Sequence, residues 1–237
     1  MLQPTPGMKH FFIAGNWKSF KGQNDARTWF AEFISLWKTG THQWSSVTAV
    51  LCPPYTLLPF ARDALSETTI PLQLGAQDVS PLGEGAYTGE INAGQVSEFA
   101  SWTIIGHSER RKNLGETDPL LIQKVSQAKA AGLHIMYCVQ DESVFVPDGV
   151  DVIAYEPPWA ISAVSGGIAQ NPESANRVCE KIVAKHPGIP VIYGGSTTPD
   201  NVLSFVRQPA ISGVLPGGAS MDPTKFFRMI ELLATVS

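Results

Sequence analysis

Short apolar runs recur along the chain and predict buried β-strands. They are rich in β-branched and aromatic residues, and none of them alternates cleanly between apolar and polar positions. A continuous apolar pattern of this kind is typical of strands that are buried on both faces of a parallel sheet. We predict strands at 11–14, 47–51, 72–76, 102–105, 133–139, 150–155, 190–193 and 213–215.

Helical patterns lie between most of these runs. One of them begins at Asn24 and ends at Gly40, with large apolar residues spaced one turn apart. Strands that alternate with helices indicate β/α units and a parallel sheet. A short polar residue followed by proline, which is a common helix start, occurs at Asp118, Asn171, Thr198 and Asp222.

The connection between the fifth and sixth predicted strands is unusually short. Only residues 140–149 separate them, whereas a parallel crossover normally needs a dozen residues or more. We therefore expect the helix between these strands to be shortened or missing. No linker and no change in composition divides the chain, so we predict one domain over 1–237, with 1–9 as a flexible N-terminal extension.

Eight strands that alternate with helices fit either a closed (β/α)8 barrel or a doubly wound open sheet. After the first strand comes Gly15-Asn16-Trp17-Lys18, which lacks the G-x-G-x-x-G dinucleotide-binding pattern of many open sheets. The 237 residues are also close to the length of one such barrel, about 250. We therefore predict an α/β protein with a single (β/α)8 barrel, whose functional residues lie at the carboxyl ends of the strands.

Composition narrows the classes of function. The chain carries 17 Lys and Arg against 21 Asp and Glu, so its negative net charge gives no support to a nucleic-acid partner. The apolar runs and the first residues lead us to expect neither a membrane span nor a signal peptide. The three cysteines lie far apart and form neither a disulfide framework nor a metal-binding pattern, so we expect a cytoplasmic protein.

Three polar residues at the predicted strand ends suggest proton transfer. Lys18, His107 and Glu156 follow strands one, four and six. A lysine at the barrel mouth can hold an anionic substrate, and a partly desolvated carboxylate has a raised pKa and can act as a general base. His107 lies at a helix start, whose positive dipole end disfavours imidazolium and favours a neutral ring that donates to a carbonyl oxygen.

Two glycine turns indicate a phosphate site on the same rim. Gly194-Gly195-Ser196 follows strand seven, and Gly217-Gly218 follows strand eight. Glycines let main-chain N–H groups approach an anion closely, and barrels of this kind often bind phosphate in these two loops. The two turns together favour a phosphorylated substrate.

The motifs taken together resemble the triosephosphate isomerase family. They occur in that family's order and with similar spacing, over nearly the whole chain. The resemblance implies a TIM barrel that interconverts dihydroxyacetone phosphate and D-glyceraldehyde 3-phosphate through an enediolate, in glycolysis and gluconeogenesis. The matching segments are Asn16 to Lys18, Gly106 to Arg111, Ala154 to Pro157, Tyr193 to Ser196 and Gly217 to Ser220, and Gly85 to Glu90 resembles the family's third loop.

The resemblance also implies the catalytic roles. Glu156 would abstract the proton from carbon, and a neutral His107 would polarise and protonate the oxygens. Lys18 and Asn16 would hold the substrate and stabilise the charge of the intermediate, with Glu109 as the partner of Lys18. No metal and no organic cofactor is expected, because the reaction only moves protons.

The phosphate-binding roles follow from the same resemblance. Ser196 and the N–H groups of Gly217 and Gly218 would bind the phosphate. Gly166 or Gly167, of which we select Gly167, would supply a further N–H group from the lid that follows the glutamate. Ser108 would not contact the substrate itself but would help to position the residues that do.

Departures from the family pattern keep two alternatives open. The lid is longer than in the family and differs at 162–168, and Pro216 stands where an aliphatic residue is usual. These differences motivate an isomerase of a four-carbon ketose phosphate on the same barrel. The alternative from another class is a catalytically idle or engineered barrel scaffold that binds phosphate.

The resemblance further implies a homodimer. The loop 77–90 would insert beside Asn16 and Lys18 of a second copy, with Thr88 at the contact. The small residues of this loop fit an ordered projecting segment.

Overall fold

The computed structural model describes residues 9–40, 42–157, 160 and 170–236. The strands lie side by side in chain order and form a closed parallel barrel, in which β1 pairs with both β2 and β8. The (β/α)8 barrel prediction is confirmed, and the predicted strand ends differ from the observed ones by at most two residues. The strands are β1 (Phe11–Asn16), β2 (Val47–Cys52), β3 (Leu72–Ala76), β4 (Trp102–Ile105), β5 (His134–Val139), β6 (Val152–Tyr155), β7 (Val191–Tyr193) and β8 (Gly213–Val214).

Helices follow most of the strands. None of the described helices is both long and apolar enough to cross a membrane. They are α1 (Gln23–Lys38), α2 (Leu58–Ser66), α3 (Ala93–Ser97), α4 (Ser108–Leu114), α5 (Asp118–Ala130), α6 (Pro172–Lys185), α7 (Val202–Val206) and α8 (Pro223–Ala234), with short 3-10 helices at Tyr55–Leu57 and Gly218–Met221.

The polar residues before proline start helices in three of the four predicted places. Asn171 and Asp222 cap α6 and α8 with their side chains, and α5 begins at Asp118. At Thr198 the prediction is wrong, since α7 begins only at Val202. The reason is local: the Thr198 N–H donates to the Asn201 side chain, and this hydrogen bond holds a turn ahead of the helix.

No helix connects β5 to β6, as the short crossover predicts. The described residues 140–151 form turns instead. The Asp141 carboxylate accepts hydrogen bonds from the N–H and the hydroxyl of Ser143, at 2.7 and 2.6 Å. A side chain that satisfies its neighbour's backbone in this way favours a turn over a helix.

The N-terminal extension is only partly described. Residues 1–8 lie outside the described part of the chain. Lys9, which we included in the flexible extension, donates from Nζ to the carbonyls of Val206 and Gln208 at 3.1 and 3.0 Å. Lys9 is therefore held at the end of α7, a contact between distant parts of the chain that local composition does not reveal.

Aromatic packing joins the loops that follow β1 and β8. Trp17 and Trp29 are buried and pack edge to face, with their ring centroids 5.2 Å apart. Both indole N–H groups donate to the Ser220 carbonyl, at 3.0 and 3.1 Å. Because the two rings belong to the core, the loop after β8 is fixed relative to the loop after β1.

A buried ionic cluster lies at the base of loop 77–90. Lys124 on α5 contacts Asp78 and Glu116 at 2.5 Å each, and Arg110 on α4 contacts the same two carboxylates at 2.8 and 2.7 Å. Burial raises the pKa of Asp78 to about 6, although Lys124 and Arg110 oppose the shift. The cluster therefore joins this loop to both helices.

Candidate active site

The carboxyl ends of β1, β4 and β6 bring three of the predicted residues to one rim. Lys18, His107 and Glu156 follow these strands by one or two residues. In a closed parallel barrel the carboxyl ends of all strands open on the same face. Barrel closure therefore unites residues that lie far apart in the sequence.

Glu156 is buried, and each of its carboxylate oxygens has a neighbour in the α4 region. Its side chain is 1% exposed, and its Oε1 lies 2.9 Å from Nε2 of His107. Its Oε2 accepts a hydrogen bond from the N–H of Ser108, the first residue of α4, at 2.9 Å. Oε1 accepts no further hydrogen bond from the described residues, so its contact with the His107 ring is the one that a substrate would have to replace.

The pKa shifts of this pair are opposite to those predicted from the sequence. Burial is the largest single influence and favours the uncharged form of both side chains, but the charge and hydrogen bond of the partner, together with other nearby groups, outweigh it. The pKa of Glu156 is therefore lowered, with help from the Ser108 N–H, and the pKa of His107 is raised. The predicted raised pKa of Glu156 is wrong for this arrangement, because the sequence does not show that the two groups touch.

The start of α4 fixes the tautomer of the neutral His107 ring. His107 is the N-cap residue of α4, and its Nδ1 accepts a hydrogen bond from the Glu109 N–H at 3.3 Å. A ring nitrogen that accepts a hydrogen bond carries no proton, so the proton of the neutral ring lies on Nε2. Nε2 is the nitrogen next to Glu156.

Lys18 has a strained backbone that its neighbours enforce. Its φ is 52°, in the left-handed region, which costs a residue with a side chain about 1–2 kcal/mol. The Lys18 N–H donates to Asn16 Oδ1, and its carbonyl accepts from Gln77 Nε2, both at 2.8 Å. Nζ lies 2.6 Å from Glu109 Oε1, which is the ion pair implied by the resemblance.

Two residues of the site escaped the sequence analysis. Gln77 directly follows β3, and its side chain also donates to the Cys52 carbonyl at 2.9 Å. Its position at the carboxyl end of a strand could have marked it as a site residue in the sequence. The buried thiol of Cys138 lies beside Glu156, and burial, with that carboxylate as the second cause, raises its pKa well above the usual range. No sequence signal marks Cys138, because the contact depends on how β5 pairs with β6.

A cavity of about 250 Å³ opens between Lys18 and the loop after β8. A Cβ atom on Gly217 would lie 3.3 Å from Lys18 Cε, so the glycine lets the lysine lie close to this turn. The structure thus brings together the lysine and the glycine turn predicted to bind phosphate. The cavity is lined by Asn16, Lys18, Phe20, Gly217, Gly218 and Met221.

Ser196 lies beside the start of the lid and does not line this cavity. Its N–H and its hydroxyl are both 3.2 Å from the Ala160 carbonyl. At the other end of the lid the Gln170 N–H donates to the Tyr193 hydroxyl at 3.1 Å. The lid tip 162–168, with Gly167, lies outside the described residues.

The described groups suit proton transfer next to an anion. A carboxylate, an imidazole and an ammonium share one rim, and each is oriented by a hydrogen bond or an ion pair. Within the described ranges, no group of three or more His, Cys, Asp or Glu residues is placed to hold a metal ion.

Comparisons with known proteins agree on one family. Its model, described as triosephosphate isomerase, matches residues 11–145 and 147–233. The triosephosphate isomerases of Thermus thermophilus and Trichormus variabilis are 34% and 38% identical, covering 95% and 94% of this chain and 99% of each relative. The crystal structure of triosephosphate isomerase from Bartonella henselae matches with a TM-score of 0.76 and 30% identity, over 93% of this chain and 97% of that chain. The chain therefore belongs to the triosephosphate isomerase family.

Proposed function

We propose that this chain interconverts dihydroxyacetone phosphate and D-glyceraldehyde 3-phosphate through an enediolate, in glycolysis and gluconeogenesis. Family membership makes the chain an isomerase. The observation that supports the mechanism most directly is the buried contact of Glu156 with His107, on the same rim as Lys18. The proposal includes no cofactor, because the reaction only moves protons.

Glu156 and His107 carry the proton transfers. The substrate enters between them, and Oε1 of Glu156 takes the proton from one carbon and returns it to the next. Separation from the carboxylate removes the charge that raises the pKa of His107. Burial and the Glu109 N–H then favour the neutral ring, whose Nε2–H donates to the substrate oxygens.

Lys18 and Asn16 hold the substrate. The Lys18 ammonium lines the cavity and stabilises the negative charge that develops on oxygen in the enediolate. Glu109 and the Asn16 side chain keep the lysine in place through contacts of 2.6 and 2.8 Å. A preformed cation of this kind needs little rearrangement during the reaction.

The phosphate binds at the cavity end formed by Gly217 and Gly218. Their main-chain N–H groups bind the phosphate oxygens. Ser196 joins them after its hydroxyl leaves the Ala160 carbonyl, which it now contacts at 3.2 Å. Gly167 of the lid supplies a further N–H group.

Turnover on sugar phosphates of different length tests the proposed substrate. Purified chain is expected to isomerise glyceraldehyde 3-phosphate with a kcat/KM at least about tenfold above that for tetrulose phosphates, because one extra carbon in a fitted pocket costs about 1–3 kcal/mol. Coupled enzymatic assays with both substrates measure this ratio. Preference for a tetrulose phosphate would contradict the proposed substrate.

We further propose a homodimer formed through loop 77–90. Tyr87 near the tip of this loop is 47% exposed, and Leu114 at the end of α4 is 63% exposed. Leu114 borders a second cavity of about 260 Å³ beside Lys18, which Ser19 and Gln77 also line. A projecting aromatic residue and an open cavity on one chain fit a symmetric contact in which each copy fills the other's cavity.

The mass in solution tests this dimer. Sedimentation equilibrium at micromolar concentration is expected to give twice the 25.6 kDa of the chain. Leu114→Glu should produce monomers, because it places a charge in the contact. Ile122→Glu is the matched control, since Ile122 on α5 is 43% exposed and lies outside the proposed contact. A monomeric wild-type chain would refute the dimer.

The proposal also covers the domain organisation, the partners and the location of the chain. Residues 1–237 act as one domain on a small phosphorylated sugar, without a nucleic-acid or membrane partner. A cytoplasmic location is supported by Cys52, Cys138 and Cys179, which are all free and buried.

A further inference from the structure

Arg111 on α4 holds both peptide groups that flank His107. Its side-chain Nε donates to the Gly106 carbonyl at 3.0 Å, and its main-chain N–H donates to the His107 carbonyl at 3.1 Å. Gly106 directly follows β4, and its φ of 75° lies in the left-handed region, which favours glycine. The chain therefore turns just before His107, and one arginine binds the carbonyl groups on both sides of that residue.

The guanidinium of Arg111 is itself fixed by two other elements. Nη2 donates to the Tyr137 hydroxyl at 3.0 Å, and Nη1 donates to Asp118, the first residue of α5, at 2.9 Å. Tyr137 is a buried residue of β5, and the centre of its ring lies 5.6 Å from the guanidinium carbon. The donors of a guanidinium have a fixed planar arrangement, so three partners leave it little freedom to turn.

The strand that carries Tyr137 also holds Glu156. In the barrel β5 lies between β4 and β6. The Glu156 N–H donates at 2.8 Å to the carbonyl of Val139, the last residue of β5 and two positions after Tyr137. Arg111 therefore ties His107 to the same strand that fixes the backbone of Glu156.

We propose that Arg111 is a positioning residue that holds the His107 ring in line with Glu156 and the substrate oxygens. The proposal rests on the proposed function, because it takes His107 as the donor to those oxygens. Rotation of the Gly106–His107 peptide group would move the ring, whose Nε2 lies 2.9 Å from Glu156 Oε1. Glycine adds no restraint of its own at this point, since it has the greatest backbone freedom. A displacement of about 1 Å can cost about a hundredfold in rate.

Kinetics of three variants test this restraint. Arg111→Met is expected to lower kcat on glyceraldehyde 3-phosphate about thirtyfold and to leave KM within about threefold, because the proposed phosphate-binding groups belong to other loops. Arg111→Lys should recover only part of the loss, since one ammonium does not reproduce the planar fork. Tyr137→Phe removes a single hydroxyl and should lower kcat about threefold. These two milder variants carry the test if the methionine variant does not fold.

Asn176→Ala is the matched control, because it removes a side-chain anchor of the same kind at the opposite end of the barrel. The buried Asn176 side chain accepts the Ala210 N–H at 2.9 Å, ahead of β8. This variant should unfold at a lower urea concentration but keep the wild-type kcat. A loss of kcat equal to that of Arg111→Met would mean that general destabilisation explains both, and would overturn the inference.

Titration of the His107 ring by NMR gives a second readout that needs no turnover. Burial lowers the pKa of His107, and the contact with Glu156 raises it. Loss of the Arg111 cation alone would raise this pKa, because a nearby cation disfavours imidazolium, whereas displacement of the ring from Glu156 would lower it. We expect a lower pKa in Arg111→Met and no change in Asn176→Ala.

The two readouts keep this inference separate from the proposed function. A His107 pKa that is unchanged or higher in Arg111→Met, or a kcat within about threefold of the wild type, would overturn the positioning role. A wild-type chain without isomerase activity would instead refute the proposed function, and the titration would still decide whether Arg111 holds the ring beside Glu156.

Discussion

Replacing Glu156 with glutamine is expected to lower kcat on glyceraldehyde 3-phosphate by about three orders of magnitude, within the range that a positioned general base contributes. Glutamine keeps the shape of the side chain and an oxygen that can accept the Ser108 N–H, which binds Oε2 at 2.9 Å. It cannot take up a proton from carbon. The loss should therefore appear in kcat rather than in KM.

A matched control separates loss of the base from a general charge effect. Glu142→Gln removes a carboxylate on the β5–β6 connection that pairs with Lys181 at 2.7 Å, and kcat should not change. Glu156→Asp should lose about a hundredfold, because a base displaced by about 1 Å is poorly aligned. If neither Glu156 variant changed the rate, the idle-scaffold alternative would replace the proposed isomerase.

The same glutamine variant probes the contact with His107. In the wild-type chain burial lowers the pKa of His107, but the charge and hydrogen bond of Glu156 together with the Glu109 charge outweigh burial, so the net shift is upward. Glu156→Gln removes that charge, and the pKa of His107 should fall. Titration of the ring nitrogens by NMR measures the change. An unchanged titration would show that the carboxylate does not control the imidazole.

Lys124→Met is expected to destabilise the protein by about 3–5 kcal/mol, the usual cost of removing one partner of a buried ion pair. The Lys124 side chain is 3% exposed and contacts Asp78 and Glu116. Its loss leaves these two carboxylates with Arg110 as their remaining cationic contact among the described residues. Urea unfolding at fixed protein concentration measures the change in the free energy of unfolding.

The pH dependence and a surface control sharpen this test. Lys124 lowers the pKa of Asp78, which burial has raised to about 6, so the variant should raise it further. Below that pKa Asp78 is protonated in the folded state, and its uncompensated charge disappears. The destabilisation should therefore be smaller at about pH 5 than at about pH 8. Lys181→Met is the surface control, because the Lys181 side chain is 61% exposed. It should change the free energy of unfolding by less than about 0.5 kcal/mol. An equal loss in both variants would contradict the claim that burial makes the Lys124 ion pairs important for stability.

The sequence by itself determined the barrel and its rim. Strands such as β2 and β5 are buried on both faces, and that environment leaves a continuous apolar run that can be read without knowing the neighbouring strands. The caps at Asn171 and Asp222 involve only residues three positions apart. Chain order alone then assigns Lys18, His107 and Glu156 to the carboxyl ends of their strands.

Only the tertiary structure decided how those groups act on one another. The pKa values of Glu156 and His107 depend on a separation of 2.9 Å between atoms 49 positions apart in the chain, and the register of β4, β5 and β6 sets that separation. The same holds for the thiol of Cys138 beside the carboxylate and for Phe20 at the cavity wall. Electrostatic and steric effects change over a few ångströms, whereas a sequence pattern specifies only which face or end of an element a residue occupies.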